Sequence, residues 1–401
     1  MAIIWFLHSN FPAQFRHLAT KLAADPEHQI FYITAATDGN LPNVRKIIYI
    51  PRREPHPEIH HYVRPLEKAV LNGQAIAQVG LQLREKGFTP DIVYAHSGWG
   101  AGLFIKDIFP EARLLCYCEW FYRGRGADVD FDPAFPPLLD DFFRVRIGNA
   151  PILLDLSTCD KALTPTKWQL QQFPSEYHHK LTVLHDGIDT DYFCPQPNAT
   201  LVLPSCNLDL SHTTELITYV ARGMEPYRGF PQFIEAISLV QQKRPHCHVV
   251  ILGQDRVAYG PRRKDGKTYK EYMLETVSLD LDRIHFIGLL PYFQYLKVLQ
   301  ASAVHVYLTY PFVLSWSVLE AMSTGCLIVA SNTPPVQEVI EDGVNGLLVD
   351  FFSPAAIAER IIEALDNPDQ TTTIRQQARQ TIQERYDLSK LLPQHIDWMM
   401  S

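Results

Sequence analysis

The chain has 401 residues, of which 46% are hydrophobic and 20% charged, and its net charge is −8. That length suits two domains of ordinary size, and that composition excludes a disordered chain. The acidic balance excludes a general nucleic-acid binder, while a local basic patch remains compatible with it.

The cysteines, Cys116, Cys118, Cys159, Cys194, Cys206, Cys247 and Cys326, are scattered. No pair has the spacing of a zinc knuckle or a redox Cys-x-x-Cys, so they read as reduced thiols of a cytoplasmic protein. The opening residues read as a buried first strand and not as a signal peptide. No apolar run approaches the roughly 20 residues needed to cross a bilayer. Peripheral association with the inner face of a membrane stays open.

In chain order, short apolar runs recur at 3–7, 30–34, 46–50, 91–95, 113–118, 161–164 and 182–185. A second series follows at 218–222, 248–253, 283–288, 304–309, 326–331 and 346–350. Such runs, with helical periods between them, predict parallel strands covered on both faces. The expected fold is α/β, with two doubly wound Rossmann-like domains at 1–200 and 201–380. The boundary is expected near 190–215, where prolines and polar residues without a period read as a linker. Residues 381–401 end in an apolar-aromatic helix that could dock back on the first domain. Ligands of such sheets bind beyond the carboxyl ends of the strands.

The candidate residues follow those strand ends. His96-Ser-Gly98-Trp99-Gly follows the run 91–95; its glycines could admit a ligand, or simply make a tight turn. Arg123-Gly-Arg125-Gly, with Asp128 and Asp130, reads as a mobile charged loop. Tyr219-Val-Ala-Arg222-Gly-Met-Glu225-Pro-Tyr-Arg228-Gly229-Phe follows the first strand of the second series. Two cations at a strand–helix loop suit a diphosphate, and Gly229 lets backbone approach a ligand. The competing reading is a surface pair between Arg222 and Glu225. Tyr259-Gly-Pro-Arg-Arg-Lys-Asp-Gly-Lys267 reads as a basic surface insertion that could also approach a donor base or an anionic acceptor.

The most informative stretch is Tyr310-Pro-Phe-Val-Leu-Ser-Trp-Ser-Val-Leu-Glu-Ala-Met-Ser-Thr-Gly325, after the run 304–309. Ser315 or Ser317 is a plausible cap, and Gly325 is placed to end the helix. Unpaired N–H groups near 315–317 would form an anion site at the positive end of the helix dipole. Glu320, one turn on, could accept from both hydroxyls of a ribose, or be a solvated carboxylate favoured by the dipole. The pairs His60–His61, His178–His179 and His246/His248 lack a third ligand at suitable spacing, so no metal site is expected.

Arg-x5-Arg-Gly after a strand, then a Leu-Glu-Ala-Met-x-x-Gly helix, resembles the family 4 glycosyltransferases over essentially the whole chain. The opening His8–Leu18 is similar to that family's acceptor-side loop, which places Asn10 and Phe11 at the cleft. His185-Asp-Gly-Ile-Asp189 and Tyr192-Phe-Cys-Pro195 resemble the segment that precedes the family's linker. The resemblance implies the two-domain GT-B fold with a central cleft. It implies that Arg222 and Arg228 bind the donor diphosphate, that Glu320 binds the ribose, and that the backbone of Leu314, Ser315, Trp316 and Ser317 holds sugar and phosphates. Two departures stand out. The first glutamate of the family's Glu-x7-Glu motif, which contacts the donor sugar, is Phe312 here. The usual cleft histidine is replaced by Cys116-Tyr-Cys-Glu119, and a subset of the family shows the same pairing of Glu and Phe, so the departures do not imply loss of activity.

The implied activity is retaining transfer of a hexose from a nucleotide-diphosphate-sugar to a glycan, lipid or small metabolite. It would need no cofactor and no metal. Arg222, Arg228 and the helix N–H groups would stabilise the leaving diphosphate. Glu119 is the one candidate for a carboxylate nucleophile, although the resemblance favours same-face attack. The alternatives are a non-catalytic nucleotide-sugar- or glycan-binding subunit and a sugar epimerase or phosphorylase on the same fold.

Overall fold

Strands form where β-branched and aromatic residues run together. The computed structural model describes residues 2–401. In its first unit lie β1 (Ala2–Leu7), β2 (His28–Thr34), β3 (Val44–Ile48), β4 (Ile92–His96), β5 (Arg113–Tyr117), β6 (Lys161–Thr164) and β7 (Leu181–Val183). They pair in parallel in the order β3-β2-β1-β4-β5-β6-β7. The sheet is covered on both faces, and alternate side chains enter different cores. Trp5, Leu7, Ile33, Val93 and Leu114 enter one core. Ile4, Phe6, Tyr32, Tyr94 and Leu115 enter the other. The run at 46–50 is shifted at its edge strand: pairing stops at Ile48, and Ile50, just before Pro51, is exposed.

The second unit contains β8 (Leu201–Leu203), β9 (Leu208–Leu210), β10 (Leu216–Gly223), β11 (His248–Gln254), β12 (Ile284–Gly288), β13 (Val304–Tyr307), β14 (Ile328–Ser331) and β15 (Leu347–Val349). Six of these form a parallel sheet of order β12-β11-β10-β13-β14-β15. Both sheets reverse their winding beside the first strand, between β1 and β4 and between β10 and β13. Loops that leave those strands are where this architecture binds ligands.

The chain divides into residues up to Asp186 with Lys390–Ser401, and Gly187–Ser389. The segment expected as a linker is not one. β8 and β9 form an antiparallel hairpin. Leu201, Leu203 and Leu210 bury in the core of the second unit. Alternation in Leu-Val-Leu and Leu-Asp-Leu turns one face inward, and Asn207, with φ +50°, makes the turn. The last helix, Leu388–Met400, brings Leu392, Ile396, Trp398 and Met399 to the first unit's core. Its His395 and Trp398 bond the His185 carbonyl and the Thr182 hydroxyl. Among the described residues no helix is long and apolar enough to cross a membrane.

Candidate functional site

The second unit builds a site around Arg228. β10 ends in Arg222 and Gly223, with a register shift against β11 between Val220 and Gly223. Pro226–Arg228 then form a single 3₁₀ turn, and Gly229 leads into the helix Phe230–Lys243. Gly229 has φ +63°, and a Cβ there would lie 2.4 Å from the Leu308 Cβ. No other residue type fits both constraints. This tight joint presses the Arg228 loop onto the end of β13.

Arg228 is 5% exposed. Its Nη1 donates to the Tyr307 hydroxyl at 2.9 Å, the Thr309 hydroxyl at 2.7 Å and the Val313 carbonyl at 3.2 Å. Its guanidinium lies 5.4 Å from the Tyr259 ring centre. Among the described residues no carboxylate pairs with it. A buried cation satisfied only by neutral dipoles is expensive and calls for an anion. Arg222, by contrast, is exposed and makes no hydrogen bond or ion pair among the described residues.

Tyr307 ties this loop to the next one. Its hydroxyl also accepts from the Ser315 N–H at 2.8 Å. Ser315 caps the helix Trp316–Ser323 by accepting from the Ser317 N–H, and its hydroxyl meets that of Ser317 at 2.9 Å. The expectation of unpaired N–H groups at 315–317 is therefore corrected at two positions, which the protein fills itself. Gly325, with φ +76°, follows the helix. Leu314 is core. Glu320 is no solvated helix carboxylate: it is 7% exposed and accepts from the Tyr295 hydroxyl at 2.8 Å. Tyr295 stands on the helix Tyr292–Gln300, which follows β12.

Glu225 overturns the surface-pair reading. It is fully buried, and its carboxylate accepts from the N–H groups of Ala258, Tyr259 and Gly260 at 2.8–3.1 Å. The basic segment after β11 is consequently no free insertion. Phe312 packs in the same place, with its ring centre 5.2 Å from Tyr259 and 5.8 Å from Tyr227.

The first unit gathers a second group. His8 and His96, at the ends of β1 and β4, meet edge to face at 4.5 Å. His96 Nε2 lies 3.7 Å from the Glu119 carboxylate, which also accepts from Gln14 at 3.1 Å. Asn10 is exposed, and its N–H donates to the His8 ring at 2.8 Å. Phe11 stacks edge to face on Tyr32 at 4.8 Å, under the Lys46 ammonium.

The Gly98–Trp99 turn hangs on buried Asp155, whose Oδ2 accepts from the Ser97 hydroxyl and the Gly98 N–H. Gly100 serves packing and not ligand entry: a Cβ there would stand 1.9 Å from the Ala69 carbonyl oxygen of the helix Arg64–Glu85. The Trp99 side chain is half exposed. The loop read as mobile is anchored at Arg123, whose Nε donates to the Gln172 carbonyl at 2.6 Å, and Arg125 lies over Phe142.

The two halves of the chain match two family models. Residues 26–193 match the glycosyl transferase family 4 group, and residues 207–381 match glycosyl transferases group 1. The chain belongs to the family 4 glycosyltransferases. This family member is 23% identical over 225 residues to a D-inositol 3-phosphate glycosyltransferase of Corynebacterium glutamicum, covering 55% of the chain and 52% of that protein. A protein of the same name in Corynebacterium efficiens is 24% identical over 197 residues, 49% of the chain and 45% of the relative. The chain spans about half the length of the curated relatives it matches. Among solved structures, Anabaena HepE in complex with UDP-glucose superposes with a TM-score of 0.71 at 16% identity over all of both chains. Sucrose-phosphate synthase from Thermosynechococcus elongatus gives 0.72 at 18% identity, over 99% of this chain and 98% of that one. At such identities the likeness concerns the fold, which is GT-B.

Set on that fold, this family member brings Arg228, Gly229, Phe312, Leu314, Ser315, Trp316 and Ser317 to adjoining loops of one unit, with Glu320 one turn into the helix. His96, Gly98, Trp99, Glu119, Asn10 and Phe11 lie in the other unit. Sequence reasoning missed Glu225, Tyr307, Thr309 and Tyr295 as parts of the loops around Arg228 and Glu320. Tyr307 and Thr309 close the β13 run, so the strand-end rule could have found them. Glu225 also follows a strand end, but nothing there signals its backbone partners, and Tyr295 left no strand-end signal.

Proposed function

We propose that this protein transfers a sugar from a nucleotide-diphosphate-sugar to an acceptor hydroxyl with retention of configuration and without a metal. The observation that carries the reading is Arg228, a buried cation with neutral partners and no carboxylate of its own. A diphosphate supplies the missing charge, and Arg222 stands exposed on the same loop to meet the rest of it. As the bond from the anomeric carbon to the phosphate oxygen breaks, charge grows on the leaving group. A guanidinium already desolvated and oriented stabilises that charge more in the transition state than in the ground state. The resemblance supports Glu320 as the ribose ligand, with the Tyr295 hydroxyl fixing its carboxylate.

For retention we favour attack on the face the diphosphate leaves, with a phosphate oxygen taking the acceptor proton. The Glu119 carboxylate, held by Gln14 beside His96, supports a role with the acceptor over that of a nucleophile. Seven unpaired cysteines support a reducing, cytoplasmic setting. The test is turnover of Arg228→Ala and Glu320→Ala with UDP-, GDP- and ADP-sugars across an acceptor panel, with product anomers read by NMR. Both variants are expected to lose transfer while staying folded. Normal turnover by both overturns the site. Donor binding without transfer by the unsubstituted protein favours a non-catalytic binding subunit, a reading that Phe312 in place of a glutamate would suit.

A further inference from the structure

The Glu225 carboxylate is buried and holds backbone, not a cation. Ala258 donates to Oε1 at 2.9 Å, Tyr259 to both oxygens at 3.1 and 3.0 Å, and Gly260 to Oε2 at 2.8 Å. A buried carboxylate is stable only when its oxygens are filled by donors. Three successive amides do this, and they belong to a loop 33–35 residues further along the chain. Those amides converge on one residue, so the loop between β11 and the helix Tyr269–Thr276 has its position fixed at Tyr259.

What Tyr259 does there is the consequence. Its ring faces the Arg228 guanidinium at 5.4 Å and lies 5.2 Å from Phe312 and 6.3 Å from Tyr227. Tyr227 in turn packs on Tyr310 at 4.5 Å and on Phe312 at 5.8 Å. The guanidinium thus has an aromatic wall on one side, and three of the wall's members come from three separate loops. Aromatic faces attract a cation without neutralising it, and they keep water away, so its charge acts at lower effective dielectric.

We propose that Glu225 is a positioning residue for donor binding: it seats Tyr259 against Arg228 and Phe312 and so completes an apolar flank to the diphosphate site. The inference rests on the nucleotide-sugar reading above.

The role is tested by calorimetric titration of the full chain with UDP, with GDP and ADP in parallel, on the unsubstituted protein, Glu225→Gln, Tyr259→Ala and the double variant. Glu225→Gln presents an NH2 group to N–H donors and forfeits about half of the clamp. It is expected to weaken binding of the preferred nucleotide by about tenfold or more and to speed hydrogen exchange at 258–260. Tyr259→Ala, which keeps the backbone donors, is expected to weaken binding without that faster exchange at 258 and 260. Because Glu225 acts through Tyr259, the double variant is expected to bind no more weakly than the weaker single one. Unchanged affinity in Glu225→Gln, or fully additive losses, overturns the role. If Glu225→Gln does not fold, unchanged affinity in Tyr259→Ala overturns it. Absence of nucleotide binding by the unsubstituted protein overturns the nucleotide-sugar reading instead, and the positioning role falls with it.

Discussion

Arg222 and Arg228 carry the same charge and occupy one loop, yet their energetics differ. Arg222 is exposed and makes no hydrogen bond or ion pair among the described residues, so Arg222→Ala should change the unfolding free energy by less than about 0.5 kcal/mol. Arg228 is desolvated without a counter-charge, a strain that an anionic ligand relieves. Arg228→Met keeps most of the volume and removes the charge. It is expected to raise the unliganded protein's stability by about 1 kcal/mol while abolishing stabilisation by UDP. A drop of several kcal/mol without ligand would show that Arg228 serves structure and not an anion.

Asp155 gives a pH-dependent counterpart in the other unit. Burial raises its pKa to about 6, against the Gly98 N–H, the Ser97 hydroxyl and the His96 ring, which pull it down. The thiols of Cys116, Cys118 and Cys159 are the other titratable groups near it. The folded value lies above the unfolded one, so ionisation is penalised in the folded state. This contribution is fully present below about pH 4 and is lost as pH rises through about 6, roughly 3 kcal/mol in all. Asp155→Asn can keep the bonds to Ser97 and Gly98 through its carbonyl and cannot ionise. Urea melts from pH 4 to 7 should therefore show the unsubstituted protein losing stability relative to Asp155→Asn as pH rises. A constant difference across that range removes Asp155 as the cause.

The legible residues were those whose chemistry is advertised locally: two arginines at a strand end with glycine beside them, and a glutamate inside a helix after a strand. Glu225 and Asp155 were not legible in that way. Each is one of 44 acidic residues, and their partners lie 33–35 and 57–58 residues away. Nothing in the local sequence says that a carboxylate is buried on backbone donors.

At the scale of elements, every apolar run read from the sequence became a strand, because burial on both faces writes continuous hydrophobicity into the chain. Edge strands moved by a residue or two, where pairing on one side no longer fixes the end. The β8–β9 hairpin was hidden by Pro204 and by strands of three residues, too short for a period to stand out. The joint between β10 and the helix Phe230–Lys243 is where element geometry and site geometry coincide. Gly229→Ala would need a left-handed conformation and would drive a methyl group into Leu308. The expected cost is about 2–4 kcal/mol, together with displacement of Arg228 from Tyr307 and Thr309. Denaturant midpoint and UDP affinity should both fall. A variant with native stability and native affinity would mean that the joint does not hold the arginine.

At the scale of the molecule, the sequence shows two repeats of one architecture, and chemistry divides between them. The groups suited to a diphosphate and a ribose, Arg228, Arg222 and Glu320, all stand in the unit Gly187–Ser389. Glu119, His96 and Gln14 stand in the other. On the proposed reading, this division separates donor binding from turnover. A nucleotide at 100 times its Kd stabilises the folded state by about 2.7 kcal/mol, which for a unit of this size raises Tm by roughly 5–10 °C. Arg228→Ala should lose that shift. Glu119→Gln should keep it in full, because the proposed diphosphate ligands stand in the other unit, and should still lose transfer to the acceptor. Differential scanning calorimetry with UDP, alongside a transfer assay on the same preparations, checks both halves. If Glu119→Gln abolishes the UDP shift as Arg228→Ala does, the donor is not held by the second unit alone and the division of labour fails. If it keeps both the shift and normal transfer, Glu119 has no part in the reaction.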